Sequence, residues 1–327
     1  MLHSGPSNLR CISKRRDFLK LAAAGAAAAL TTSPFALAES ASGAASPVRP
    51  MALGLLIKPF PSPEKAISLV HQLELPTCFL SLDAYLGKFT PDLASQMRDL
   101  LEKYQVTATT AEVVGPGPLK WNFIEGPATI GVVPRATRAA RIDALKQTSD
   151  FAHRLGIERI QTHCGFIPED PQNPLYEETV LAIRELADHC AGNGQSFLME
   201  TGQETPITML RAIKDVDRRN LGVGLDTANL ILYGKANPVD AVKILGPYVR
   251  AMHAKDGLWP TDPAKLGEEV VIGKGAVDFA AVLGHLHSIG YTGAVTIERE
   301  ISGAQQIADV REEKNYLERV LAQIKVQ

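Results

Sequence analysis

Cysteine is scarce in this chain, with four in 327 residues. Cys11 lies near the N-terminus, which leaves Cys78, Cys164 and Cys190 for the rest. An odd, sparse set excludes a disulfide framework and fits folding in a reducing compartment. Positive charge is not in surplus either: 34 Lys/Arg stand against 36 Asp/Glu, a net −2. That balance excludes nucleic acid as a partner, because such proteins need cations to displace counterions. No run beyond the first 38 residues is long and apolar enough to span a membrane, so no stable anchor is expected. The first apolar run is followed by KPFPSP rather than by a glycine-rich phosphate turn. No lysine- or arginine-rich phosphate cradle stands out, and no period of 20–50 residues marks a repeat array.

What is present begins with an address. SKRRDFLKLAAAGAAAALTTSPFALA (Ser13 to Ala38) carries the pair Arg15-Arg16, then Phe18, Leu19 and Lys20, a short alanine-rich run, and the small-x-small Ala36-Leu37-Ala38. The order reads as a twin-arginine signal peptide over residues 1–38, cleaved after Ala38. The expectation is export in the folded state to the periplasm or beyond, through the twin-arginine machinery. Cleavage removes five of the 34 basic side chains and one of the 36 acidic ones, leaving a net −6. Residues 39–50 read as a flexible leader rich in Ser, Ala, Gly and Pro.

From residue 51 short apolar runs alternate with stretches of helical spacing. Strands are expected at 51–57, 77–83, 106–114 and 159–163, then in runs ending at Glu200, Asp226, His253 and Glu298. Helices are expected between them and over 304–324. Eight strands alternating with eight helices predict an α/β fold, a single (β/α)8 TIM barrel over 51–327. The competing arrangement is a doubly wound open sheet. A Gly/Pro-rich excursion over 115–133 interrupts the pattern and carries Trp121, Phe123 and Ile124. It reads either as a lid or aromatic wall over a sugar ring, or as rim packing or a dimer contact.

The last four strands all finish on a residue that binds metals. In a barrel the C-terminal strand ends converge on the face that carries the active site. Glu200, Asp226, His253 and Glu298 would then aim three carboxylates and one imidazole at one point. Three buried carboxylates repel each other and take up protons unless a counter-charge is present. One divalent cation supplies it. Each residue alone has a blander reading, such as Asp226 capping a helix at Thr-Ala-Asn. Hard oxygen ligands with one imidazole favour Mn²⁺, Mg²⁺ or Co²⁺ over Zn²⁺. Among the remaining polar residues, Cys164 is expected as a buried structural thiol. Glu112 is expected at the rim, and Lys255 either on substrate oxygens or paired with Asp256.

The strings LMETG, GLDTAN, MHAKDG and TIERE resemble the xylose-isomerase-like TIM-barrel superfamily of sugar isomerases and epimerases. His-x-Lys-Asp at 253–256 is the most specific piece, and the resemblance covers about residues 51–325. It implies that Glu200, Asp226, His253 and Glu298 are the metal ligands. It further implies that Glu200 and Glu298 form the catalytic proton-transfer pair, and that His163 points into the pocket. Asp278, in GKGAVDF, is expected to cap a helix. Two positions depart from the epimerase pattern. Asn229 stands where those enzymes carry a histidine, and Trp259 where they carry an arginine. Both positions, with His163 and Lys255, are expected to touch substrate.

The chemistry implied is proton abstraction next to a carbonyl, through an enediolate. Return of the proton on the opposite face gives epimerisation, and on the neighbouring carbon, isomerisation. Departure of a β-hydroxyl or glycosidic oxygen gives elimination. The leading expectation is a metal-dependent sugar isomerase or epimerase acting on a free sugar or glycoside. The alternatives are a lyase or dehydratase on a keto-sugar, keto-glycoside or cyclitol, and a non-catalytic carbohydrate-binding barrel. A homo-oligomer stays open.

Overall fold

The computed structural model describes residues 49–324. The expected signal peptide, and the leader up to residue 48, lie outside the described residues. Elements run in the order β1 (Leu53–Ile57), α1 (Pro63–Gln72), β2 (Thr77–Ser81), α2 (Pro91–Lys103), β3 (Thr107–Glu112), α3 (Gly126–Thr129), α4 (Arg135–Arg154), β4 (Arg159–Thr162), α5 (Pro174–Gly192) and β5 (Ser196–Glu200). Then follow α6 (Pro206–Val216), β6 (Leu221–Asp226), α7 (Thr227–Leu232), α8 (Pro238–Leu245), β7 (Val249–Ala254), β8 (Asp256–Leu258), β9 (Glu268–Val270), α9 (Phe279–Ser288), β10 (Val295–Ile297) and α10 (Ala304–Ile324).

Eight of these strands close a parallel barrel in the order β1-β10-β7-β6-β5-β4-β3-β2. The expected (β/α)8 architecture is the observed one. The remaining strands, β8 and β9, form a small antiparallel hairpin above it. Helix starts follow local chemistry. Ser62, Thr90, Asn173, Thr205 and Asn237 each accept an amide hydrogen from the first turn, and each is followed by proline at the helix start. Pro134 sits at the N-cap of α4 rather than in its first turn. Asp278 caps α9 as expected, through the Ala281 amide at 2.9 Å.

The main apolar core fills the space between strands and helices. A smaller layer lies inside the barrel: Phe79, Leu198 and Ala251, with Leu56 packed against them. Leu198 and Ala251 sit two residues before Glu200 and His253. Side chains alternate with period two along a strand, so the residues two further on face the same interior. The inner layer is therefore the floor under the strand-end residues.

The excursion at 115–133 is fixed at its base. Arg141, fully buried in α4, donates to the carbonyls of Gly131 at 2.6 Å, Thr129 at 2.7 Å, Pro118 at 3.1 Å and Pro116 at 3.2 Å. The Asp83 carboxylate accepts the amides of Val114 and Gly115 at 2.9 and 3.0 Å. One guanidinium thus satisfies four carbonyls that a glycine- and proline-rich segment leaves without ladder partners.

Candidate metal centre

Strand register brings the four expected ligands to one height. Glu200 on β5 lies beside Gly224 on β6, and Asp226 stands two residues further along. Asp226 lies beside His253 on β7, and His253 beside Thr296 on β10. Glu298 follows Thr296 by two residues, just past the end of β10. Every step is zero or two residues, so all four side chains keep the inward phase while the barrel stagger climbs. One ligand atom from each falls within 4.8 Å of the others.

The donor set fits a divalent cation. All four residues are buried, Asp226 completely. Asp226 Oδ2, His253 Nδ1 and Glu298 Oε2 are buried with no hydrogen-bond partner. His253 Nδ1 is the nitrogen facing the acids: 2.9 Å from Glu298 Oε2, 3.4 Å from Glu200 Oε1 and 3.9 Å from Asp226 Oδ2. The other Asp226 oxygen accepts the Asn229 amide at 2.8 Å and caps α7. One oxygen of the carboxylate thus caps the helix and the other stays free to hold a cation. Unsatisfied buried polar atoms are costly, and these three converge on a single point.

The protein's own charges leave this cluster too negative. Burial raises Asp226 well above the usual carboxylate range, and the nearby Glu298 and Glu200 add to that. Burial opposes charge on His253, but Glu298 and Glu200 outweigh it and hold its pKa well above that of free imidazole. Burial likewise opposes charge on Glu298, where Lys255 and His253 outweigh it and hold the carboxyl well down. Glu200 is held below its ordinary value against burial by His163 and His253. Asp226 and His253 therefore retain protons that a cation would displace.

The surroundings position the ligands. Gln161 donates to Glu200 Oε2 at 3.1 Å. It reaches there because Gly224 has no side chain: a Cβ would lie 1.8 Å from Gln161 Oε1. His163 places Nε2 3.2 Å from Glu200 Oε2, and its Nδ1 meets the Gln203 amide at 3.1 Å. Asn229 Nδ2 lies 3.4 Å from Glu200 Oε1. Phe79 packs edge-on against the His253 ring at 4.5 Å between centroids.

A cavity of about 520 Å³ opens over the cluster, lined among others by Glu112, His163, Glu200, Asn229, Lys255 and Glu298. Of the residues expected to touch substrate, His163, Asn229 and Lys255 line it. Trp259 does not, and it is 44% exposed. The chain turns into the β8–β9 hairpin straight after Lys255, which carries Trp259 outward. Lys255 is not paired with Asp256. Its Nζ lies 3.1 Å from Glu300, 3.5 Å from Glu298 and 3.9 Å from Asp226. Asp256 instead accepts the amides of Gly257, Gly273, Gly275 and Val277, fixing the turn before α9.

Glu112 is a cavity wall rather than a rim group. It is buried, and burial, then the neighbouring Glu200, pushes its carboxyl well above the usual range. Tyr233 also lines the cavity, with a buried hydroxyl that has no partner. No spacing in the sequence singles it out, because it follows α7, an element hidden between β6 and α8. Cys164 is buried as expected, and burial raises its thiol well above the ordinary value.

Residues 61–320 match the xylose isomerase-like TIM barrel family, and the chain belongs to it. A xylose isomerase domain protein from Planctomyces limnophilus shares 33% identity, with a TM-score of 0.80 over 85% of this chain and 100% of that one. The fold is also that of a D-psicose 3-epimerase solved with D-fructose: 19% identity, TM-score 0.64, 83% of this chain and 99% of that one. A probable 3-DHS dehydratase from Bacillus anthracis shares it as well, at 17% identity and TM-score 0.61, over 82% and 98%. An uncharacterized protein of Methanocaldococcus jannaschii is 29% identical over 194 residues, which span 55% of this chain and 64% of that protein. Solved neighbours with this fold thus include both sugar epimerases and a dehydratase.

Proposed function

We propose that this protein is a divalent-metal-dependent sugar isomerase or epimerase that moves a proton next to a carbonyl. One observation carries the reading: three carboxylates and an imidazole are buried with one ligand atom of each within 4.8 Å of the others, and the atoms of Asp226, His253 and Glu298 there have no hydrogen-bond partner. The bound cation, Mn²⁺, Mg²⁺ or Co²⁺ by donor hardness, supplies polarisation of a substrate carbonyl and stabilisation of the charge that develops there.

The protein's side chains supply the rest. Glu200 and Glu298 enter the cavity from β5 and from the end of β10, with β6 and β7 between them. They therefore flank a bound sugar from two sides, one removing the proton and the other returning it. His163, held by Gln203, fixes the Glu200 carboxylate. Lys255 does the same for Glu298 and brings a buried positive charge beside the cluster. With a doubly charged cation and Lys255, the three ligand carboxylates are neutralised. A neutral sugar or glycoside fits that balance better than a phosphorylated one. Asn229 and the Tyr233 hydroxyl are placed for substrate hydroxyls.

One observation favours a second reading, elimination from a keto-sugar, keto-glycoside or cyclitol. Glu112 is a buried acid on the cavity wall whose carboxyl burial pushes well above the usual range, the direction that suits a donor to a departing oxygen. Incubation of the Mn²⁺-loaded protein in D₂O with ketohexoses and 3-keto-glycosides separates the readings. Deuterium next to the carbonyl of an intact sugar is the expected result. Loss of water or aglycone selects elimination, and no exchange with any of them overturns both in favour of a binding barrel. Export through the twin-arginine route is part of the proposal and rests on Arg15-Arg16 and the cleavage pattern alone. It accounts for the leader: a folded barrel keeps its metal, whereas an unfolded chain would meet competing Zn²⁺ and Cu²⁺ outside. Recovery of the chain only from the cytosol would remove that part.

A further inference from the structure

The cavity over the four ligands has two unlike ends. Its floor is polar, with Glu112, His163, Asn229 and Lys255 around the cluster. Its mouth, the more exposed lining, carries four apolar side chains from three separate loops, Phe60 after β1, Leu119 and Trp121 before α3, and Leu266 before β9, beside the charged Lys58 and Glu300. Phe60 and Trp121 line the cavity and yet remain 44% and 43% exposed. Trp121 stands between the two ends, edge-on to the His163 ring at 5.0 Å. It is held in place rather than loosely hung. Arg141 ties down the segment that carries it, and the Phe123 amide reaches the Ala264 carbonyl, joining two of the loops.

Size points the same way. At about 30 Å³ per water, 520 Å³ is the space of roughly 17 waters. The twelve heavy atoms of a hexose, bonded and so packed closer than waters, fill less. A sugar ring is rimmed with hydroxyls and offers one C–H face, which a single aromatic wall satisfies. Four apolar side chains at the mouth exceed that need. Leaving them wet costs free energy in proportion to area, and a ligand that covers them recovers it.

We infer that the mouth is a subsite for an apolar group attached to the sugar, so that the substrate class is a keto-glycoside, a glycoside with one ring hydroxyl oxidised to the carbonyl, with an aromatic or aliphatic aglycone. The inference rests on the sugar reading of the floor, with which the mouth is continuous. The sugar end reaches the metal centre while the aglycone lies against Phe60 and Trp121.

The chain has two tryptophans, and Trp259 lies outside the cavity lining, so Trp259→Phe leaves Trp121 as the single fluorescent reporter. Methyl and phenyl 3-keto-glucosides are titrated into the full, Mn²⁺-loaded chain, by calorimetry and by Trp121 fluorescence. The expected result is a phenyl glycoside bound at least ~10-fold tighter than its methyl counterpart, with Trp121 shielded from acrylamide only when the phenyl group is present. Trp121→Ala brings the phenyl-over-methyl preference below about threefold, while Trp121→Phe keeps most of it. Equal affinities, or no binding of either glycoside to the loaded protein, overturn the inference. So does a Trp121 already shielded in a ligand-free dimer, which would make the mouth a contact between copies. If Mn²⁺ does not bind but the phenyl preference persists, the metal reading falls and the subsite stands.

Discussion

His253 Nδ1 lies 2.9 Å from Glu298 Oε2, and neither atom makes a hydrogen bond. The distance suits one; the direction does not. Both atoms instead face the space that Asp226 Oδ2 and Glu200 also face. Two opposite partners held close but misaligned are what a shared cation requires, since each lone pair must aim at the ion rather than at its neighbour.

Removing a ligand should therefore cost metal affinity before it costs the fold. Asp226→Asn and His253→Ala are expected to weaken Mn²⁺ binding by at least ~100-fold, beyond the 10–100-fold typical of residues that only orient ligands. Calorimetric titration checks it, and affinities unchanged from the parent chain would sink the centre.

Metal affinity should rise with pH. Asp226 and His253 both hold protons above their ordinary range in the metal-free cluster, Asp226 chiefly through burial and His253 through its carboxylate neighbours against burial. Lowering the pH fills these sites with protons that compete with the ion, and raising it empties them. Mn²⁺ binding in a weakly buffered indicator solution should release protons. Binding that is independent of pH and releases none would contradict the assignment.

Glu200→Gln and Glu298→Gln are each expected to reduce deuterium exchange into substrate by about 10²–10⁴-fold. Circular dichroism should show both variants folded. Full exchange in either variant would remove that glutamate from the proton-transfer pair.

Glu204 lies behind the cavity, buried, with neither carboxylate oxygen hydrogen-bonded. Burial pushes its pKa up to about 8. A raised carboxyl contributes its full stability below the unfolded value near 4.5 and loses it as pH rises through about 8. Glu204→Gln should remove that loss and stabilise the protein by roughly 4 kcal/mol at pH 8, with little effect near pH 4. Urea unfolding at the two pH values measures it.

Gly224→Ala should disturb the centre from outside it. The added methyl meets the Gln161 amide, which must leave Glu200. A cost of about 1–3 kcal/mol in stability is expected, with weaker Mn²⁺ binding. Gln161→Ala in the same background should recover part of the stability, because the clash is gone.

The barrel was legible because each strand and helix announces itself locally, through apolar period and through cap-and-proline starts such as Thr90-Pro91 and Asn173-Pro174. The clustering of four strand-end residues was legible because a barrel sends consecutive strand ends to one face, so Glu200, Asp226, His253 and Glu298 could be matched by phase alone. Trp259 shows where such matching fails. It was placed by counting from His253, and the β8–β9 hairpin breaks the count. The surroundings of Glu112 and Lys255 left alternatives open for a related reason. A residue's partners across a barrel come from strands distant in sequence, and nothing near Lys255 in the chain names Glu300.

By itself, then, the amino-acid order determined the alternating fold and the cluster of four strand-end residues, because both depend on periodicity within a short window. The tertiary structure alone decided which buried charges meet, that Gly224 clears a path for Gln161, and that Trp121 and Phe60 share one cavity mouth. Those outcomes depend on barrel closure and stagger, which bring side chains from separate strands and loops within a few ångströms.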